Sequence, residues 1–101
     1  MPLASKTPKK DKQRDSRLRK TYGISLADYN RMLKAQKGGC AICGRPPKKR
    51  ALDVDHSHRT GKVRGLLCHR HNRGLAWFSD DPALFRKAAR YLARSLKRKV
   101  L

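Results

Sequence analysis

Histidine, cysteine and aspartate are the side chains that bind metals and move protons, and this 101-residue chain crowds them together. The stretch Leu52–Asn72 holds all four histidines, one of three cysteines and two of the seven acidic residues. Packing does not explain that density. The residues sort into two constellations. The first is Cys40-x2-Cys43 paired with Cys68-x2-His71. Zinc takes four tetrahedral nitrogen or sulfur ligands, and two knuckles of this spacing supply them. No coordination position would remain open, so such a zinc is structural. His69 could replace His71, but the repeated x2 spacing favours His71.

The second constellation is Asp55, His56, His58 and Asn72. Singly, an Asp-His pair reads as a solvated loop and an Asn near a helix start as a cap. Together, beside a zinc knuckle, they read as a site for cutting phosphodiesters. That reaction needs a base to make hydroxide and a cation to neutralise developing charge. His56 suits the base because an imidazole titrates near neutrality. Asp55 and the Asn72 side-chain carbonyl supply hard oxygen ligands for Mg²⁺ or Mn²⁺, which keeps waters and takes further ligands from phosphate. Asp55 and His56 point to opposite faces of a regular strand. They share a site only if the strand ends or bends there.

The surrounding elements must hold these groups. Ser25–Lys37 is expected to be helical, with Ser25 and Asp28 as a capping box, Leu26, Tyr29, Met32 and Leu33 on one face, and Gly38-Gly39 as the stop. Tyr22 and Ile24 are expected to pack beside it. Residues 45–50 form a proline-containing loop. Ala51–Asp55 and Lys62–Leu67 read as strands of a hairpin around the Ser57–Gly61 turn, with Gly65 as a candidate bulge. Cys68–Phe78 reads as a short helix whose Leu75, Ala76, Trp77 and Phe78 pack at its far end. Asp80 or Asp81 caps a last helix starting near Pro82, with Leu84, Phe85, Ala88, Ala89, Leu92 and Leu96 as its buried stripe.

Residues 1–20 form a basic arm, disordered over about its first dozen residues, with helix conceivable over Arg14–Lys20. Residues 21–101 form a single domain. The arm has no apolar core of a signal peptide. Three cysteines without such a signal point to metal ligation rather than disulfides, and to the cytoplasm. A core for this length is thin, so a metal staple is expected. Lysine and arginine number 27 against 7 acids, all aspartate, giving a net charge of +20. A field of that strength favours a polyanion, and the cations run along the whole chain rather than one amphipathic helix, which favours nucleic acid over a membrane surface. Arg59, Lys62 and Arg64 are the expected phosphate contacts.

At these residues the chain resembles the His-Me finger (HNH) nucleases, and within them the phage recombination endonuclease VII family. The resemblance runs from about Tyr22 to Trp77. It includes Tyr22-Gly23-Ile24, Cys40-Ala-Ile-Cys43-Gly44, Asp55-His56-Ser57-His58-Arg59-Thr60-Gly61, Val63-Arg64-Gly65-Leu66-Leu67-Cys68 and Asn72. It implies an α+β fold with a ββα-metal core, a zinc knuckle and flanking helices. It implies Asp55 and Asn72 as ligands of the catalytic metal, His56 as general base, and His58 as a contact to the scissile phosphate. Cys40, Cys43, Cys68 and His71 fall at the family's zinc positions. The family usually has cysteine where this chain has His71, and zinc accepts either.

The expectation is therefore a Mg²⁺- or Mn²⁺-dependent DNA endonuclease with one structural zinc, phage-encoded and acting in the host cytoplasm. No membrane and no nucleotide cofactor is expected. Its substrate is duplex or branched DNA; junction resolution requires two symmetric cuts and hence a homodimer, whereas nicking needs a monomer. The rival from another class is a non-catalytic zinc-finger DNA-binding accessory protein, and a more distant one is an RNA-binding zinc ribbon. The charge and the cysteines fit the accessory protein equally well. The Asp55-His56…Asn72 set does not, because a binding module has no use for a base beside a hard-metal site.

Overall fold

The computed structural model describes residues 8–97. Among them are four helices and two strands: α1 (Lys9–Tyr22), α2 (Leu26–Ala35), β1 (Asp53–His56), β2 (Val63–Leu67), α3 (His69–Trp77) and α4 (Pro82–Lys97). The architecture is small α+β, with one two-stranded antiparallel sheet.

α1 starts at Lys9, ahead of the expected Arg14; residues 1–7 of the expected arm lie outside the described residues. Lys, Arg and Gln are good helix formers, and Asp11 in the first turn complements the helix dipole. Hydrophobic periodicity misses this helix because Leu18 is its single buried residue. Polar tethers hold the rest. Asp15 accepts from Arg19 at 2.8 Å and from the Leu26 backbone N–H at 2.7 Å, which fixes α1 against the start of α2. Gly23 ends the helix in the left-handed conformation (φ 73°).

α2 begins as its sequence requires. Ser25 Oγ accepts from the Asp28 N–H at 2.9 Å, and the Asp28 carboxylate accepts from the Ser25 N–H at 2.9 Å. Its last turn is shorter than expected, because Lys37 and Gly38 are both left-handed and the Gly38 N–H returns to the Leu33 carbonyl. Tyr29 is the buried residue of the stripe. Its hydroxyl donates to the Leu52 carbonyl at 2.6 Å and so joins α2 to the entry of β1.

The strands pair Asp53 with Leu67, Val54 with Leu66, Asp55 with Gly65 and His56 with Val63. Arg64 is left over, so the bulge falls at Arg64 rather than at Gly65. The core is Leu18, Tyr29, Cys40, Leu52, Val54, Leu66 and Leu67, with Tyr22, Ile24, Leu26, Met32 and Leu33 packed against it. Among the described residues, Leu66 is the one large side chain sealed completely from solvent. This is the thin core that the length implied.

Two packing expectations are corrected. α4 buries none of its residues; Leu84, Leu92 and Leu96 are exposed, as is Tyr91. Phe85 and Ala88 of the expected stripe are half-buried, and Phe85 stacks on Phe78 at the end of α3 at 4.5 Å. Trp77 is 72% exposed, with the Arg73 guanidinium 5.8 Å from its ring. Only Leu75 of that expected cluster reaches the core. Among the described residues no helix is long and apolar enough to cross a membrane.

Candidate active site and metal centre

The candidate metal centre begins at the tight turn after α2. The Cys40 N–H donates to the Arg45 carbonyl at 2.9 Å and the Gly44 N–H to the Cys40 carbonyl at 2.8 Å, closing the knuckle on itself. Gly44 is left-handed (φ 75°), and a Cβ on Gly39 would collide with the Gly44 carbonyl. Glycine is required at both positions. The Ala41 N–H donates to the Leu66 carbonyl at 3.1 Å, so the knuckle is docked on β2. Gln36 reinforces this edge: its side chain accepts from the Leu66 N–H and donates to the Leu66 carbonyl, both at 2.9 Å, as a neighbouring strand would.

β2 then delivers Cys68 as the N-cap of α3, and His71 lies one turn on. The donor atoms of Cys40, Cys43, Cys68 and His71 all lie within 4.8 Å of one another. That is a Cys3His group able to hold a metal such as zinc. Burial pushes the Cys40 thiol up, but N–H groups of Cys43, Cys68 and Ile42 and the His71 ring outweigh it and bring it to about 6. Cys68 is pushed the other way, first by burial and then by the neighbouring sulfurs. One low thiol beside a high one is what sulfurs sharing a single charge-stabilising site produce. His69 turns away from this group, with its Nδ1 2.9 Å from the Asp53 carboxylate.

The second constellation is reached through Asn72, the residue after His71 on α3. Asp55, His56, His58 and Asn72 all line one cleft of about 200 Å³, together with Arg64 and Asp80. The bulge resolves the strand-face problem. It shifts the register between Asp55 and His56, so two adjacent strand residues reach the same cleft. The His56 ring lies 5.0 Å from the His58 ring and 5.5 Å from the Tyr22 ring. Asp55 is buried, 7% exposed. Its carboxylate accepts a two-pronged clamp from Arg64, Nε at 2.8 Å and Nη2 at 2.9 Å. Nη2 also reaches Asp80 at 3.2 Å. These hydrogen bonds to Asp55 hold Arg64 still more firmly protonated. Arg59 and Lys62 are exposed on the turn between the strands, while Arg64 spends two of its nitrogens on carboxylates.

The recombination endonuclease VII family matches residues 15–94, which takes in both groups of residues and most of α4. The chain belongs to the recombination endonuclease VII family. It is also 44% identical over 80 residues to the Gene 59 protein of Mycobacterium phage L5, covering 77% of this chain and 49% of that protein. To the Gene 59 protein of Mycobacterium phage D29 it is 40% identical over 82 residues, covering 79% and 50%. This family member thus spans about half the length of the curated relatives it matches. No solved structure matches it.

Within this member of the endonuclease VII family, the residues that sequence reasoning missed are acceptors and scaffolds. Asp53 shares a strand face with Asp55 by the period of two, a signal that could have marked it. Asp80 had none. It and Ser79 are left-handed, a conformation asparagine and aspartate tolerate better than most, and that turn carries the Asp80 carboxylate to Arg64.

Proposed function

We propose that this chain is a divalent-metal-dependent DNA endonuclease of the His-Me finger (HNH) type, whose ββα-metal core is β1, β2 and α3. One observation carries the reading: Asp55, His56, His58 and Asn72, from a strand, its turn and a helix, line a single cleft. Membership of the endonuclease VII family and two phage relatives support it.

The donor set fits the implied ions. Cys40, Cys43, Cys68 and His71 would hold a structural zinc, which clamps the knuckle to the first turn of α3. Asp55 and Asn72 both line the cleft and are hard oxygen donors; the Arg64 clamp uses one lone pair on each Asp55 oxygen and leaves others, so the two residues would hold Mg²⁺ or Mn²⁺. When bound, that ion supplies positive charge against the pentacoordinate phosphate and the leaving 3′ oxygen. The protein's own residues do the rest. A ring nitrogen of His56 takes the proton from the attacking water. The neighbouring Tyr22 and His58 rings limit how the imidazole can turn. His58 donates to the scissile phosphate. Arg64 neutralises Asp55 and, with Nη1 left over from its two carboxylate contacts, adds a donor for phosphate. Arg59 and Lys62 hold flanking phosphates without reading sequence. The products carry 3′-hydroxyl and 5′-phosphate ends.

The net charge of +20 supports DNA, duplex or branched, as the partner. The phage relatives support action inside an infected host cell. Sedimentation with and without a four-way junction separates a homodimeric resolvase from a monomeric nicking enzyme. The reading itself is tested by plasmid nicking. Cleavage with Mg²⁺ or Mn²⁺ that EDTA abolishes is expected; binding without cleavage would make the protein the accessory DNA-binding module instead.

A further inference from the structure

Asn72 sits in the first turn of α3, its N–H on the Cys68 carbonyl at 2.9 Å; its side-chain amide reaches Asp53 of β1, and it lines the same cleft as Asp55. Asp55 belongs to the cleft. Asp53, two residues earlier on the same strand face, does not line it. The Asn72 Nδ2 donates to Asp53 Oδ2 at 3.4 Å. An ionised carboxylate only accepts, so the amide NH₂ must face Asp53 and the carbonyl oxygen must face the other way. Asp53 is itself fixed from both sides, by Arg50 Nη2 at 2.8 Å and His69 Nδ1 at 2.9 Å. Its side chain is only 14% exposed. An asparagine amide is nearly symmetric in shape but not in chemistry. Turned over, it would present N–H groups to a cation.

We propose that Asp53 is a positioning residue that locks the Asn72 amide with its carbonyl oxygen turned toward the Asp55 cleft, as a ligand for the hard cation. This rests on the metal reading given above. Asp53 touches neither cleft nor substrate; it acts through one hydrogen bond, and Arg50 and His69 keep that acceptor in place. Supports of this kind change metal affinity by about 10- to 100-fold when removed.

A carboxylate has two equivalent oxygens and no wrong way round, so Asn72→Asp removes any need for orientation. Mn²⁺ affinity is therefore measured by calorimetry on the zinc-loaded full chain without DNA. The variants are Asp53→Ala, Asn72→Asp and the double variant, and zinc content reports folding. Asp53→Ala should weaken Mn²⁺ binding about tenfold or more in the Asn72 background. In the Asn72→Asp background it should cost nothing or improve binding, since a like charge leaves. Asp53→Asn, which retains an acceptor oxygen and the shape, should fall between. An equal loss in both backgrounds overturns the proposal, as does no loss in either. Side-chain amide resonances of Asn72 in metal-free protein separate the two levels of the argument. If Asp53→Ala shifts them but the wild-type chain binds no Mn²⁺, the metal reading fails and takes the proposal with it. If Asp53→Ala leaves them unmoved, the hydrogen bond itself is refuted.

Discussion

Arg64 and Asp55 are the residues whose relation the sequence concealed. Nine positions apart, they read as a metal ligand and a DNA-binding cation. In the fold they are one ion pair, because the bulge leaves Arg64 out of the ladder and turns it onto a buried carboxylate. Removing the cation leaves that carboxylate without its partner. Arg64→Ala should cost about 1–3 kcal/mol of stability in urea unfolding, discounted from a fully buried pair because Arg64 is 38% exposed. Arg64→Ala combined with Asp55→Asn should recover part of that loss. A double variant no more stable than the single would contradict the account of the pair. The Cys3His group, by contrast, was legible from spacing alone, since a C-x2-C knuckle brings both sulfurs to one point whatever surrounds it. The repeated x2 spacing also favours His71 over His69, and in the fold Asp53 takes His69 instead.

Elements with end signals were legible and elements without a stripe were not. α2 carries a capping box and appears where Ser25 and Asp28 place it. Ser25→Ala should cost about 1 kcal/mol in thermal or urea unfolding. α1 lacks an apolar face, and its anchoring by Asp15 to the Leu26 N–H could not be read from spacing. That carboxyl is held below its ordinary value first by the Leu26 N–H and then by Arg19, and Asp28 is held low by the Ser25 N–H and hydroxyl. A depressed folded value means stability that is present above the unfolded carboxylate range and lost as pH falls through the folded values. Acid unfolding should therefore begin below about pH 4, and Asp15→Asn should lower stability at neutral pH while flattening the acid limb. A neutral-pH stability equal to wild type would show the tether to be idle. α4 was legible as a helix but not as an exposed one. Its periodicity states which residues share a face, and periodicity alone says nothing about what that face meets.

At the scale of the whole molecule, a thin core, a Cys3His group and an excess of cations belong together. Seven buried hydrophobic residues hold the hairpin and α2, while the turn carrying Cys40 and Cys43 and the start of α3 meet at the Cys3His group. Chelation should then do more than remove an ion. It should release α3, and with it Asn72, which directly follows His71. Zinc content below half an equivalent, with unfolding unmoved by chelators, would contradict this. Cations in this excess neutralise DNA phosphates and release their condensed counterions, which predicts DNA affinity that falls steeply with salt. The central claim is that the cleft is catalytic, and its most direct measurement is the conversion of supercoiled plasmid to nicked circles in Mg²⁺, wild type against His56→Ala at matched zinc content and DNA affinity. The account predicts a rate at least ~100-fold lower for the variant; cleavage at the wild-type rate would contradict it.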